Sequence, residues 1–232
     1  MPVFVLVHSP SVGPSTWQPV ADQLRDAGHQ AVVPSLLAVG DGEPPYWPKV
    51  PAAVRDGAEG LDPARPVVLV VHSNAGLFAP LIASSLGVPA SCVIFAVASM
   101  PPHCGEAEVA ESEFVPFLRD LADADGRLPP WTSWWSEDDV APMLPDPRLR
   151  QDIIAEQPRL PLAYYLERIP VPGGWDERPC GYLLFSDAYE GQANQARSRG
   201  WPVRTVAGQH LHQVVDPARV TEAMLDLAAQ RA

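Results

Sequence analysis

Short runs of β-branched and apolar residues alternate along this chain with longer amphipathic stretches, and no other feature limits the possible folds as strongly. A strand covered on both faces reads as a continuous apolar run, whereas a helix carries an apolar stripe at a period of 3.6. Regular succession of the two builds βαβ units around a parallel sheet. The runs predict strands at 3–7, 31–34, 67–71, 93–98, 182–185 and 203–206, and helices at 17–27, 51–60, 75–85, 190–200 and 217–229. The last helix opens with Asp216 as N-cap and Pro217 at its first position. One interval, 99–180, breaks the alternation and carries Phe114, Phe117, Trp131, Trp134, Trp135, Met143, Tyr164 and Tyr165. The expectation is an α/β core formed by 1–98 and 181–232, with 99–180 inserted as a helical cap, or lid, whose aromatic side chains shape an apolar pocket.

Composition narrows the functional classes. The chain has 232 residues, 47% hydrophobic and 19% charged, enough for a full-sized core without disulfides or structural metals. Sixteen Lys+Arg against 28 Asp+Glu give a net charge of -12, and Lys49 is the one lysine. Such a surface repels phosphate backbones and anionic lipid, so neither nucleic acid nor membrane is an expected partner. Cys92, Cys104 and Cys180 form no CxxC pair and are read as reduced. No basic stretch precedes the short apolar run 3–7, which points to a cytoplasmic location. Oligomeric state leaves no mark in the sequence.

The segment Val67-Val-Leu-Val-Val-His-Ser-Asn-Ala-Gly76 concentrates the chemistry. An apolar strand runs directly into a tight turn with a serine at its tip and then into a helix, the shape of a nucleophile elbow. Such a strained turn calls for small residues two before and two after the serine; Ala75 qualifies and Val71 does not. Taken alone, Ser73 reads equally as an ordinary helix N-cap.

Three stretches widen the reading. Phe4-Val-Leu-Val-His8 is followed by Gly13, Trp17, Leu24, Gly28-His29 and Val32-Val-Pro34; His72-Ser73-Asn74-Ala75-Gly76 follows the third strand; and Gly208-Gln-His-Leu-His-Gln-Val-Val-Asp-Pro217 closes the chain. Together they resemble, over essentially the whole length, the α/β-hydrolase superfamily, nearest its small esterases and hydroxynitrile lyases. The resemblance implies an α/β-hydrolase fold with a mainly parallel sheet of about six strands. It implies Ser73 as nucleophile and, seven residues before the helix-starting Pro217, His210 rather than His212 as base. The acid of the triad is expected just past a strand end, between serine and histidine in chain order; Asp187 is the candidate and Glu190 the runner-up. His210-Leu-His212 lacks a third metal ligand at suitable spacing, so neither metal nor other cofactor is expected.

Two departures from the family pattern bear on mechanism. The second oxyanion donor of the family is a backbone N–H at the position occupied here by Pro10, which has none. The N–H of Asn74 remains, and a lost donor of this kind costs roughly 3 kcal/mol, so the hydroxyls of Ser9 and Ser11 are the expected substitutes. Leu211 stands where hydroxynitrile lyases carry a basic residue, which argues against cyanohydrin cleavage. The sequence therefore supports a serine hydrolase of an ester, thioester or lactone, with Trp131, Trp134, Trp135 and Tyr164 binding an apolar or aromatic, uncharged small molecule. A lyase or cyclase using the same residues for proton transfer, and a ligand-binding protein on the same scaffold, remain as alternatives.

Overall fold

The first strand occupies the predicted 3–7, and its alternate side chains enter two separate cores in the computed structural model, which describes residues 1–230. Strands follow in the order β1 (Val3–Val7), β2 (Gln30–Val32), β3 (Val67–His72), β4 (Ala90–Ala96), β5 (Gly105–Glu108), β6 (Arg168–Val171), β7 (Cys180–Leu184) and β8 (Val203–Thr205). The α-helices are α1 (Gln18–Asp26), α2 (Lys49–Gly57), α3 (Ala79–Ser85), α4 (Val115–Leu121), α5 (Glu137–Met143), α6 (Pro147–Glu156), α7 (Leu162–Tyr165), α8 (Glu190–Ser198), α9 (His212–Val215) and α10 (Pro217–Ala229).

Six strands form one parallel sheet in the order β2-β1-β3-β4-β7-β8. Strand pleating sends Val3, Val5, Val7, Val67, Leu69 and Val71 to one face, where Val50 and Val54 of α2, Ile82 of α3 and Ala193 and Ala196 of α8 meet them. Phe4, Leu6, Val68 and Val70 face the other side, under Val20 and Leu24 of α1 and Val220, Met224 and Leu227 of α10. Both faces are covered, which is why the strands read as unbroken apolar runs. Truncating a fully buried member such as Leu69 to Ala would cost about 2–5 kcal/mol. Asp216 caps α10 by accepting from the Arg219 N–H.

The interval 99–180 is not wholly helical. Besides α4 to α7 it contains the antiparallel ribbon β5–β6, which polar Gly-Glu-Ala-Glu gave no reason to expect. Two carboxylates tie this interval to loops of the sheet. Glu167 accepts from the Tyr46 and Trp47 N–H groups at 2.6 and 2.7 Å, and Glu156 accepts from the Ser15 N–H at 3.1 Å. The Glu156 carboxylate lies so close over Gly13 that a Cβ there would fall 2.1 Å from it. Cys92 and Cys180 sit on adjacent strands but in opposite cores, and among the described residues no disulfide is formed. Among the described residues no helix is long and apolar enough to cross a membrane.

Candidate active site

In an open parallel sheet the loops at the carboxyl ends of the strands diverge where strand order reverses, here between β1 and β3, and leave a crevice. Ser9–Ser11 follow β1, Ser73 follows β3, and the loop after β8 brings in His210.

Ser73 adopts φ 56°, a left-handed conformation rare for a residue with a side chain, and starts a 3-10 turn, Ser73–Phe78. Val97, just past the end of β4, is the other non-glycine with positive φ among the described residues, at 37°. Strain is thus stored at two adjacent strand ends beneath the crevice. The Ser99 N–H donates to the Ser73 carbonyl at 3.1 Å, and a Cβ on Gly76 would lie 2.1 Å from the Ser99 carbonyl oxygen. The sequence argument placed the tight contacts two residues either side of the serine. The structure places the tightest three residues after it, so Val71 fits without strain in the core and Gly76 is the residue with no substitute.

The His210 Nε2 lies 3.0 Å from Ser73 Oγ. His212 turns away, packing edge-on against Phe185. His210 is held by its surroundings: Tyr189 stacks on the imidazole at 5.2 Å, Trp131 lies 5.6 Å away, and His72 Nε2–H donates to the His210 carbonyl at 3.1 Å. A carbonyl only accepts, so the proton on His72 belongs to Nε2. Burial lowers the pKa of His210 to about 4 and that of His72 well below its ordinary value, so both are neutral at pH 7. Burial raises the pKa of the Tyr189 phenol, and its interaction with Ser73 partly offsets the rise.

Asp187 does not reach the base. β7 ends at Leu184 and the chain enters a 3-10 turn, Asp187–Tyr189, that leaves Asp187 exposed and turns Tyr189 onto the imidazole. Glu190 pairs instead with Arg197 at 2.6 Å. Among the described residues the buried His210 Nδ1 has no hydrogen-bond partner, so the expectation of a carboxylate there is corrected to an unpartnered nitrogen.

On the other side of Ser73, Asn74 is the second residue of the 3-10 turn, whose first N–H groups have no intrahelical acceptor. Its side chain spans the crevice wall, donating from Nδ2 to the Val109 carbonyl at 2.8 Å and accepting from the Tyr164 hydroxyl at 2.6 Å. Tyr164, expected to touch substrate, is fully buried, stacks on Phe78 and does not line the cavity. Its hydroxyl needed a partner and found the elbow. Ser9 and Ser11 both line the cavity, and Ser11 Oγ lies 2.6 Å from the Tyr165 hydroxyl. His8 fixes their loop: its Nε2 accepts from the Leu36 N–H at 3.0 Å, so Nδ1 carries the proton and donates to the Ser9 carbonyl at 2.8 Å.

These groups open onto a cavity of about 1060 Å³. Trp131, Trp134 and Trp135 line it, with Phe114, Tyr165 and Tyr189. Its lining also includes Glu108, Glu111, Glu113, Asp138 and Asp139 but no lysine or arginine. Glu108 pairs with Arg168 at 2.6 Å and Asp139 is engaged by Ser136 at 2.6 Å. Sequence reasoning assigned Tyr189, His72 and His8 no role at the site and Tyr165 none beyond the cap's aromatic set; Tyr165 and the histidine before the serine were visible but had no assigned partner.

A parallel six-stranded sheet with a strained serine after β3 and a histidine after β8 defines the α/β-hydrolase fold, and this chain has it. The chain is similar in structure, at 16% identity and a TM-score of 0.76, to an extracellular α/β-hydrolase from a Paenibacillus species, described as sharing structural and functional homology with tobacco salicylic acid binding protein 2; 98% of this chain and 99% of that one are covered. It is also similar to tomato methylketone synthase I in complex with 2-tridecanone (13% identity, TM-score 0.69, 100% and 99% covered) and to polyneuridine aldehyde esterase (18% identity, TM-score 0.67, 98% and 99% covered). No family model and no curated sequence matches the chain.

Proposed function

We propose that the protein is a cofactor-independent acyl-transfer enzyme, a serine hydrolase in which Ser73 attacks the carbonyl of an ester, thioester or lactone. The 3.0 Å approach of His210 Nε2 to Ser73 Oγ carries this reading. His210 takes the hydroxyl proton, the Asn74 N–H meets the developing oxyanion, and His210 returns the proton to the leaving group. Water then repeats the sequence on the acyl-enzyme. The base works as a dyad, because its Nδ1 has no carboxylate to stabilise an imidazolium. The tryptophans of 99–180, which acts as the cap, provide apolar walls, and the acidic lining repels anionic substrates. Esterases among the similar structures agree with this chemistry.

A fluorophosphonate probe read by intact-mass analysis tests the reading: one adduct is expected on the native protein and none on Ser73→Ala. A folded native protein that takes no adduct would overturn it. The unpartnered Nδ1 and Pro10 favour, as second reading, a lyase or cyclase in which Ser73 and His210 only relay protons. Turnover of a carbonyl-bearing apolar substrate without an acyl intermediate would select it.

A further inference from the structure

Three successive residues of the loop after β1, Pro10, Ser11 and Val12, leave no backbone donor free. Pro10 has no N–H, the Val12 N–H donates to the Ser9 carbonyl at 3.0 Å, and the Ser11 N–H faces Ser9 Oγ at 3.5 Å. On the same wall two hydroxyls, Ser11 Oγ and Tyr165 Oη, lie 2.6 Å apart, both on buried residues and both on residues lining the cavity. A pair of hydroxyls carries two protons, and one bond between them uses one. The other proton remains available. A phenol is the stronger donor, so Tyr165 donates to Ser11 and the Ser11 O–H is left polarised and free. The phenol stays protonated, since burial raises its pKa far above the working range. The next residue back along α7, Tyr164, holds Asn74 at 2.6 Å, so adjacent tyrosines of one short helix grip both walls beside Ser73.

We propose that the Ser11 hydroxyl, oriented and polarised by Tyr165, supplies the oxyanion donor that Pro10 cannot. Ser11 touches the substrate oxygen; Tyr165 is a positioning residue that acts through it. No proton is transferred: the Ser11 O–H bond persists and only its hydrogen bond to the substrate oxygen strengthens as charge develops. The proposal rests on the acyl-transfer reading.

The test is the phosphonylation of Ser73 by a neutral fluorophosphonate, resolved into a saturation constant KI and a limiting rate kinact, with melting temperatures measured alongside. This probe develops charge on its phosphoryl oxygen at the same place. Ser11→Ala should lower kinact about a hundredfold with KI within about threefold. Tyr165→Phe, which keeps the ring, should lower kinact on the order of tenfold, again with KI unchanged. The double variant should be no slower than Ser11→Ala, because Tyr165 has no route to the reaction except through Ser11. Multiplying effects in the double variant, or a change confined to KI and melting temperature, would overturn the proposal. If the native protein is labelled and Ser11→Ala is labelled as fast, this proposal alone fails. If the native protein is not labelled at all, the acyl-transfer reading fails and takes the proposal with it.

Discussion

On the Asn74 side of Ser73, the polar groups are fixed by hydrogen bonds: Asn74 to Val109 and Tyr164, Ser11 to Tyr165, and the Ser9 carbonyl to His8. On the His210 side the ring is held by stacking on Tyr189, by Trp131, and by one bond from His72 to the backbone, while its Nδ1 has no partner. Hydrogen-bonded groups keep their geometry when charge develops, whereas packed rings keep their position and offer a new cation only the attraction of their faces, not a hydrogen bond. On the proposed reading, the site has hydrogen bonds in place around an oxyanion and none for an imidazolium.

The largest expected effect comes from removing the packed side altogether. His210→Ala should slow labelling of Ser73 by at least about a thousandfold, whereas His212→Ala should leave it within about threefold, measured as rates of fluorophosphonate adduct formation. Next comes the elbow that joins both sides. Gly76→Ala forces a Cβ against the Ser99 carbonyl and should destabilise the protein by about 1–3 kcal/mol in urea unfolding, with Ser73 reactivity falling too.

His72→Phe keeps the ring stacking but deletes the tether to the His210 carbonyl, and labelling should fall on the order of tenfold. The pH dependence sharpens the contrast further. His8 and His210 are lowered to about 4 and His72 is lowered too, so between pH 6.5 and about 4 the unfolded chain binds protons that the native state refuses. Stability should therefore be fully present above pH 6.5 and fall toward pH 4, by about 1.4 kcal/mol per pH unit for each histidine, as read by denaturation at stepped pH. Where the protein remains folded, the acid limb of labelling should lie near 4, not near 6.5.

The smallest effect is expected at Asp187. Because its carboxylate is exposed and does not meet the base, Asp187→Asn should change labelling by less than about threefold. A hundredfold loss would show that the 187–189 turn rearranges to complete a triad during the reaction.

The legible parts of this molecule are those where a period or a turn has one physical solution. Two-sided burial made β1 and β3 readable as apolar runs, and Asp216-Pro217 marked the start of α10 because an N-cap and a first-turn proline satisfy that position and few others. His210 was singled out by the resemblance of the closing loop 208–217, and the structure sets its Nε2 3.0 Å from Ser73 Oγ. The ribbon β5–β6 was hidden because Gly-Glu-Ala-Glu of β5 has no apolar alternation, and Arg-Ile-Pro-Val of β6 alternates over only four residues, one of them a proline. Tyr164 and Asp187 were misplaced for a different reason. A side chain's direction depends on a neighbour brought in from far along the chain, Asn74 for the first, and on a turn one residue tighter than the sequence suggests for the second. The tryptophans of 99–180 could be assigned to a pocket by type, but their partners could not be read, since no period relates them.

The carboxylates lining the cavity also bear on what leaves it. On the proposed reading each turnover ends with a carboxylic acid that ionises at neutral pH beside Glu111, Glu113 and Asp138, for which the described residues offer no ion-pair partner. Like charges at close range push the product out, and they hinder its return once released. The cavity then favours traffic in one direction: neutral esters enter, anions depart, accumulating acid inhibits weakly, and ester synthesis from free acid is suppressed even where water is scarce.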